Sequence, residues 1–197
     1  MNYLAHILLS GSDPEIKIGG LLGDFVKGPL QGELPRRIEQ GIALHRAIDS
    51  WFDHQPEFIA ARARFTTPFR RFAGIAIDLS YDHLLARRWQ HHHHQPLAHF
   101  CGEFYEQLRS YYAQLPRRAQ KFADHAPRIE LLESYAASGA IEQALARISL
   151  RFRRPVDLTE GMPQIERQLA AMETEFQQLW PRAEQFASEK RRQLDGR

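Results

Sequence analysis

The sequence predicts an all-α protein folded as a single-domain helical bundle. Three observations carry this reading. Apolar residues recur at steps of three and four along most of the chain, prolines and glycines punctuate those stretches, and no sustained two-residue alternation bounded by turns marks a strand. At 197 residues the chain can bury a full core without staples, and neither an internal repeat nor a domain boundary divides it.

The elements follow in order. A short helix opens the chain at about Asn2 to Leu9. Asp13-Pro14 reads as a cap followed by a first-turn proline, starting a second helix that runs to about Lys27 and stops at Gly28-Pro29. Pro35 opens a long third helix that ends before Pro56, and a short helix continues to about Phe65. Thr67-Pro68 starts the next helix, which reaches about Gln90. Helices from Pro96 to Leu115 and from Pro116 to Ser138 come after, with Phe100, Phe104, Leu108 and Tyr111 forming a core stripe. Ala140 to Phe152 is amphipathic. From Thr159 a long pattern of Ile165, Leu169, Met172, Phe176 and Leu179 runs to the C terminus; Pro181 is expected to break or kink it, and the charged tail from Glu189 to fray.

Composition narrows the function classes. Basic and acidic residues nearly balance at a net charge of +2, and no nucleic-acid-binding motif is recognisable, so a nucleic-acid partner is disfavoured. No stretch is long and apolar enough to span a bilayer, and the opening residues lack the basic leader of a signal peptide. The single cysteine, Cys101, excludes a disulfide framework within the chain and fits a reducing compartment, so a cytoplasmic location is expected. Of the 26 basic residues 22 are arginine, often paired, which favours forked contacts to phosphate or carboxylate; solvated helix faces account for most pairs.

Chemistry enters where charge interrupts the apolar stripes. Ile38, Ile42, His45, Asp49 and Phe52 share one face of the third helix, and Ile75, Asp78, Asp82, Leu85 and Trp89 share one face of the helix after Thr67-Pro68. An unpaired carboxylate withdrawn from water costs several kcal/mol in practice, roughly the scale of a large pKa shift. A divalent cation removes that penalty, and an oxygen and nitrogen donor set suits manganese, magnesium, iron or zinc. The competing reading is structural: each acid faces water or pairs with an arginine.

Other candidates are less specific. Ile18 to Gly28 reads IGGLLGDFVKG, and its glycines at 19, 20 and 23 call for close backbone approach, either to a ligand or at a tight helix crossing. Asp24 and Lys27 stand one turn apart there, open to mutual pairing or to a phosphate. His6 on its short apolar helix reads by default as a satisfied core histidine. His83 lies about 100° around the helix from Asp82, at the edge of any site on that face. Asp53 competes between a cap and solvent. His91 to His94 reads as an exposed loop, because consecutive residues rarely converge on one ion.

Several blocks then carry a resemblance: Asn2-Tyr3-Leu4-Ala5-His6, Gly23 to Gly28, Gly41-Ile42 with Leu44 to Ser50, Tyr81-Asp82-His83, and Arg153-Arg154-Pro155. In order and spacing they resemble bacterial acyl carrier protein phosphodiesterase, over nearly the whole chain. The resemblance implies hydrolysis of the phosphodiester joining 4'-phosphopantetheine to a serine of holo acyl carrier protein. It also implies an all-helical fold like that of the HD phosphohydrolases, with His and Asp ligands for a divalent ion, manganese being favoured. One departure is plain: the adjacent His-Asp pair of that superfamily is absent here, and the order is reversed in Asp82-His83.

The expected roles are these. His6, Asp24, His45, Asp49 and Asp82 are metal ligands, Asp78 is a further ligand or the base that orients water, and His83 is the leaving-group acid. Lys27 and Arg46 hold the phosphate. Arg147, Arg151, Arg153 and Arg154 form a docking patch for an acidic carrier protein, the partner that the resemblance implies. The alternative within enzymes is a metal-dependent phosphohydrolase of a nucleotide or other small phosphate ester; outside enzymes it is a helical binding module whose acids are structural.

Overall fold

The computed structural model describes residues 2–196, and among them the chain forms nine α-helices joined by short loops and 3₁₀ turns, with no strand. The helices are α1 (Tyr3–Leu9), α2 (Pro14–Leu22), α3 (Arg36–Asp53), α4 (Pro56–Ala63), α5 (Ala73–Arg87), α6 (Leu97–Ser110), α7 (Arg117–His125), α8 (Ala140–Ser149) and α9 (Met162–Asp195). None is long and apolar enough to cross a membrane. Asp13 caps α2 as its sequence position implies, its Oδ1 accepting from the Ile16 amide at 3.0 Å, with Pro14 in the first turn.

Two contacts set the position of the site. At the first, α2 lies directly on α3: a Cβ on Gly19 would fall 2.2 Å from the Ile38 carbonyl oxygen, and one on Gly41 would fall 2.4 Å from that of Ile16. The glycines in IGGLLG thus serve a tight helix crossing, the structural branch of the two readings. The second is α5, which runs through the interior against α1, α4, α8 and α9 and buries Ala76, Ile77, Leu79, Tyr81, Leu84 and Leu85. Tyr81 joins Phe52, Phe58 and Phe176 in an aromatic cluster with centroids 5.4 to 6.4 Å apart. The stripe of Phe100, Phe104 and Leu108 on α6 is buried as expected.

Several expected boundaries move. The second helix ends at Leu22, five residues early, and the following turn is strapped by Arg46, whose guanidinium donates to the Val26 carbonyl at 3.0 Å. The helix expected to reach Ser138 stops at His125, because Pro127 lacks a donor and Glu130 takes a left-handed conformation at φ 47°. Pro181 does not break α9. Both it and Gln177, whose carbonyl loses its partner, are exposed, so the missing hydrogen bond falls on the solvent side of the helix. Nor does the tail fray before Asp195: Arg37 pairs with Asp195, Gln40 donates to the Leu194 carbonyl at 2.7 Å, and Arg191 donates to that of Leu9. In the histidine run, His92 and His93 are half-buried, packing on Trp180 and Phe100 with centroids 5.3 and 5.0 Å away.

Candidate active site

Three side chains from two helices converge in the interior. α1 supplies His6, and α3 supplies His45 and Asp49 one turn apart. The His6 Nε2 lies 3.0 Å from Asp49 Oδ1 and the His45 Nε2 lies 3.1 Å from Asp49 Oδ2, while the two imidazoles stack with centroids 3.7 Å apart. Both rings are buried, and Asp49 is half-buried. Gly23 makes room for this packing, since a Cβ there would fall 2.2 Å from the His45 ring.

The protons of this cluster follow from its hydrogen bonds. The His45 Nδ1 is 2.7 Å from the Gly20 carbonyl, which only accepts, so Nδ1 carries the hydrogen. A proton on Nε2, or a cation held between it and Asp49 Oδ2, satisfies the contact on the other side of the ring. Burial, reinforced by the neighbouring His45, lowers the His6 pKa to about 3 and keeps that ring neutral near pH 7. Its Nδ1 is buried without a hydrogen-bond partner. Burial works to raise the Asp49 carboxyl, but the facing His45 and His6 outweigh it and hold the group well below the usual carboxylate range.

Two imidazoles beside a carboxylate are a donor set that could hold a metal ion. Each of the three offers a donor atom within 4.8 Å of the others, and among the described residues this is the group with that property. The donor chemistry therefore fits a divalent ion, with His45 oriented by the Gly20 carbonyl as metal-binding histidines commonly are.

A cleft of about 230 Å³ opens against α1 and α5, and none of His6, His45 and Asp49 lines it. Asn2 and Tyr3 of α1, Asp24 and Phe25 of the following turn, Ile75 and Asp78 of α5, and Arg118, Arg147 and Arg151 line it. Asp78 ties cleft and cluster together: burial pushes its carboxyl up, and the negative charges of Asp49 and Asp24 add to the shift. A groove of about 350 Å³ continues outward, sharing Tyr3, Phe25 and the three arginines and adding Lys121 and His125 from α7.

The other expected site residues have different surroundings. Asp82 is wholly buried but stands outside the three-residue group; its Oδ2 accepts from the Leu4 amide at 2.8 Å and its Oδ1 from the Ala5 amide at 3.2 Å. Burial pushes its carboxyl up to about 7 against the pull of those amides. Asp24 is exposed on the cleft wall and likewise outside the group. His83 turns away, its Nδ1 donating to the Tyr135 carbonyl at 2.7 Å, and lines a separate cavity of about 560 Å³ with Arg87 and Glu166. Lys27 is exposed, its amine 3.5 Å from the Gly23 carbonyl, and Arg46 holds the turn; neither lines the cleft. Arg147 and Arg151 line both cleft and groove, whereas Arg153 and Arg154 sit on the exposed loop after α8. Arg118, which sequence reasoning noted only as one of several arginine pairs, joins them because α7 folds back over the cleft.

Comparison with known proteins identifies the family. A family model described as acyl carrier protein phosphodiesterase matches residues 1–183. A protein of that name from Serratia proteamaculans is 34% identical over 191 residues, covering 96% of this chain and 99% of the relative. Others of the same name are 35% identical in Pectobacterium atrosepticum, covering 95% and 97% of the two chains, and 32% identical in Escherichia coli O157:H7, covering 96% and 99%. No solved structure matches. On the strength of that whole-length match, the chain belongs to the acyl carrier protein phosphodiesterase family.

Proposed function

We propose that this protein hydrolyses the phosphodiester joining 4'-phosphopantetheine to a serine of holo acyl carrier protein, releasing apo carrier and 4'-phosphopantetheine. Family membership supports the substrate. The observation that carries the reading is a cleft lined by three arginines and the carboxyls of Asp24 and Asp78, in a chain that also brings together two histidines and an aspartate able to hold a metal ion.

His6, His45 and Asp49 would hold the divalent ion, manganese by the resemblance. When bound, such an ion lowers the pKa of its water and offsets negative charge on phosphoryl oxygens. The adjacent His-Asp pair of the HD phosphohydrolases is absent from this chain, and the proposed ligands come from two helices instead.

The chain's own residues supply the remainder. Arg118, Arg147 and Arg151 bind the diester oxygens through forked hydrogen bonds and draw an acidic carrier to the mouth of the cleft. Asp78, which borders the cleft and whose carboxyl is raised by burial and by neighbouring negative charge, would pass a proton to the departing serine oxygen. That role replaces the one expected of His83, which lines another cavity. Tyr3 and Phe25 border the cleft with apolar surface that keeps water away from the phosphate. A cytoplasmic site of action fits the single buried thiol.

The test is mass spectrometry of holo acyl carrier protein incubated with the enzyme and manganese, alongside a panel of nucleotides and small phosphate esters. The expected result is loss of the 4'-phosphopantetheine mass from the carrier. An intact carrier with hydrolysed nucleotides would favour the small-ester reading instead.

A further inference from the structure

Asp82 looks like a ligand in sequence but is engaged elsewhere in the fold. α1 has seven residues, too few for a helix to hold in water without tertiary support. Its first turn exposes amides that need acceptors, and the N-cap residue Asn2 makes no side-chain capping bond. Water does not reach them, since Leu4, Ala5 and His6 are all 0% exposed. Asp82, from α5 and also 0% exposed, covers the second and third amides of the helix, one with each oxygen. It is therefore an N-cap supplied by a different helix, with its carboxyl oxygens at the positive end of α1.

The next residue along α1 is His6. Around it the helix is held at two more points: Asn2 donates to the Tyr135 hydroxyl at 2.9 Å, and Ser10 donates back to the His6 carbonyl at 2.7 Å. Of these, the Asp82 clamp is the one that ties α1 to α5, through two fully buried hydrogen bonds. We propose that Asp82 is a positioning residue that acts through α1, presenting the His6 imidazole to Asp49 and His45, and that it is not a ligand of the metal ion.

Hydrogen exchange and manganese titration on the metal-free protein test this. In the native chain the Leu4 and Ala5 amides should be protected, although first-turn amides ordinarily exchange freely; free exchange there would overturn the proposal outright. Asp82→Ala removes both acceptors. Asp82→Asn keeps the volume but turns an amino group toward one of the amides, so it serves if the alanine variant does not fold. In either variant Leu4 and Ala5 should exchange at least about tenfold faster, the His6 ring resonances should shift, and manganese affinity should drop by about 10- to 100-fold. Unchanged exchange with manganese binding abolished would make Asp82 a ligand and sink the inference. Faster exchange with unchanged affinity would equally sink it, since the clamp would then not act on His6. These readouts need no turnover, so they stand or fall separately from the assignment of substrate.

Discussion

Helices α3 and α5 carry the same sequence signature, an apolar stripe interrupted by two polar residues four apart, yet the fold uses them differently. On α3, His45 and Asp49 converge with His6 on a small space. On α5 the pair splits: Asp82 turns into the interior to satisfy the amides of Leu4 and Ala5, while Asp78 borders the cleft. The difference lies in what each helix meets. α3 meets an imidazole and the carbonyl of Gly20, which orients a ring. α5 meets the start of a helix, where the unfilled requirement is for an acceptor. Charge in an apolar stripe therefore signals a partner; the neighbouring helix determines whether that partner is an imidazole or a backbone.

The sharpest way to break the comparison is at Asp49. Asp49→Ala should leave the helical circular dichroism intact, abolish manganese binding and lower turnover by on the order of a thousandfold or more. An equal loss from an Asp82 variant with undisturbed α1 amides would erase the distinction between the two stripes.

A second prediction uses protons. In the metal-free protein His6 resists protonation until about pH 3, while in the unfolded chain it titrates near 6.5. The unfolded state thus binds a proton first as pH falls, and stability drains away below about 6.5. Between there and pH 4 the loss is roughly 3 kcal/mol, taken as a single site. Asp49, whose folded pKa is depressed, adds its own loss only as pH drops below the ordinary carboxylate range. Chemical denaturation at pH 7 and pH 4 measures this, and His6→Gln should flatten the difference. A pH-independent unfolding free energy in the native chain would mean that His6 is not held neutral.

The glycines separate fold from site. Gly19→Ala sets a methyl 2.2 Å from a backbone oxygen of α3, which cannot move aside, and should cost about 1 to 3 kcal/mol of stability. Gly23→Ala strikes the His45 ring first, so its main effect should be on manganese affinity and turnover. Melting temperature and activity measured on both variants give the contrast; a Gly23→Ala protein with full activity would show that the ring has room to shift.

Much of this was legible in the sequence. The helical periodicity, the Asp13-Pro14 cap and the site histidine and aspartate of α3 all follow from spacing, because spacing alone fixes which face of a helix a residue occupies. His6 was harder: alone on a short apolar helix it reads as a core residue, and only the resemblance moved it to the ligands. Spacing could not separate Asp82 from Asp78, since both lie on one stripe and their fates depend on a neighbour 77 or 78 residues away in sequence. It could not place His83 in another cavity, nor bring Arg118 to the cleft. Those are consequences of how the helices dock, and docking is a property of pairs of helices that no single stripe records.

The arginines test this last point with the smallest effects. In sequence Arg147, Arg151, Arg153 and Arg154 form one patch, but in the fold the first two line the cleft and the other two stand on an exposed loop. Arg147→Glu should raise KM for holo acyl carrier protein by about tenfold at low salt, the scale of losing one charged hydrogen bond. Part of that rise should persist at high salt, because a contact at close range in a cleft is poorly screened. Arg153→Glu should act through steering alone, with a change of about threefold or less that vanishes as ionic strength rises. Steady-state kinetics of both variants across a salt series would distinguish them, and identical salt dependence would mean that the carrier senses a single diffuse patch, as the sequence alone had implied.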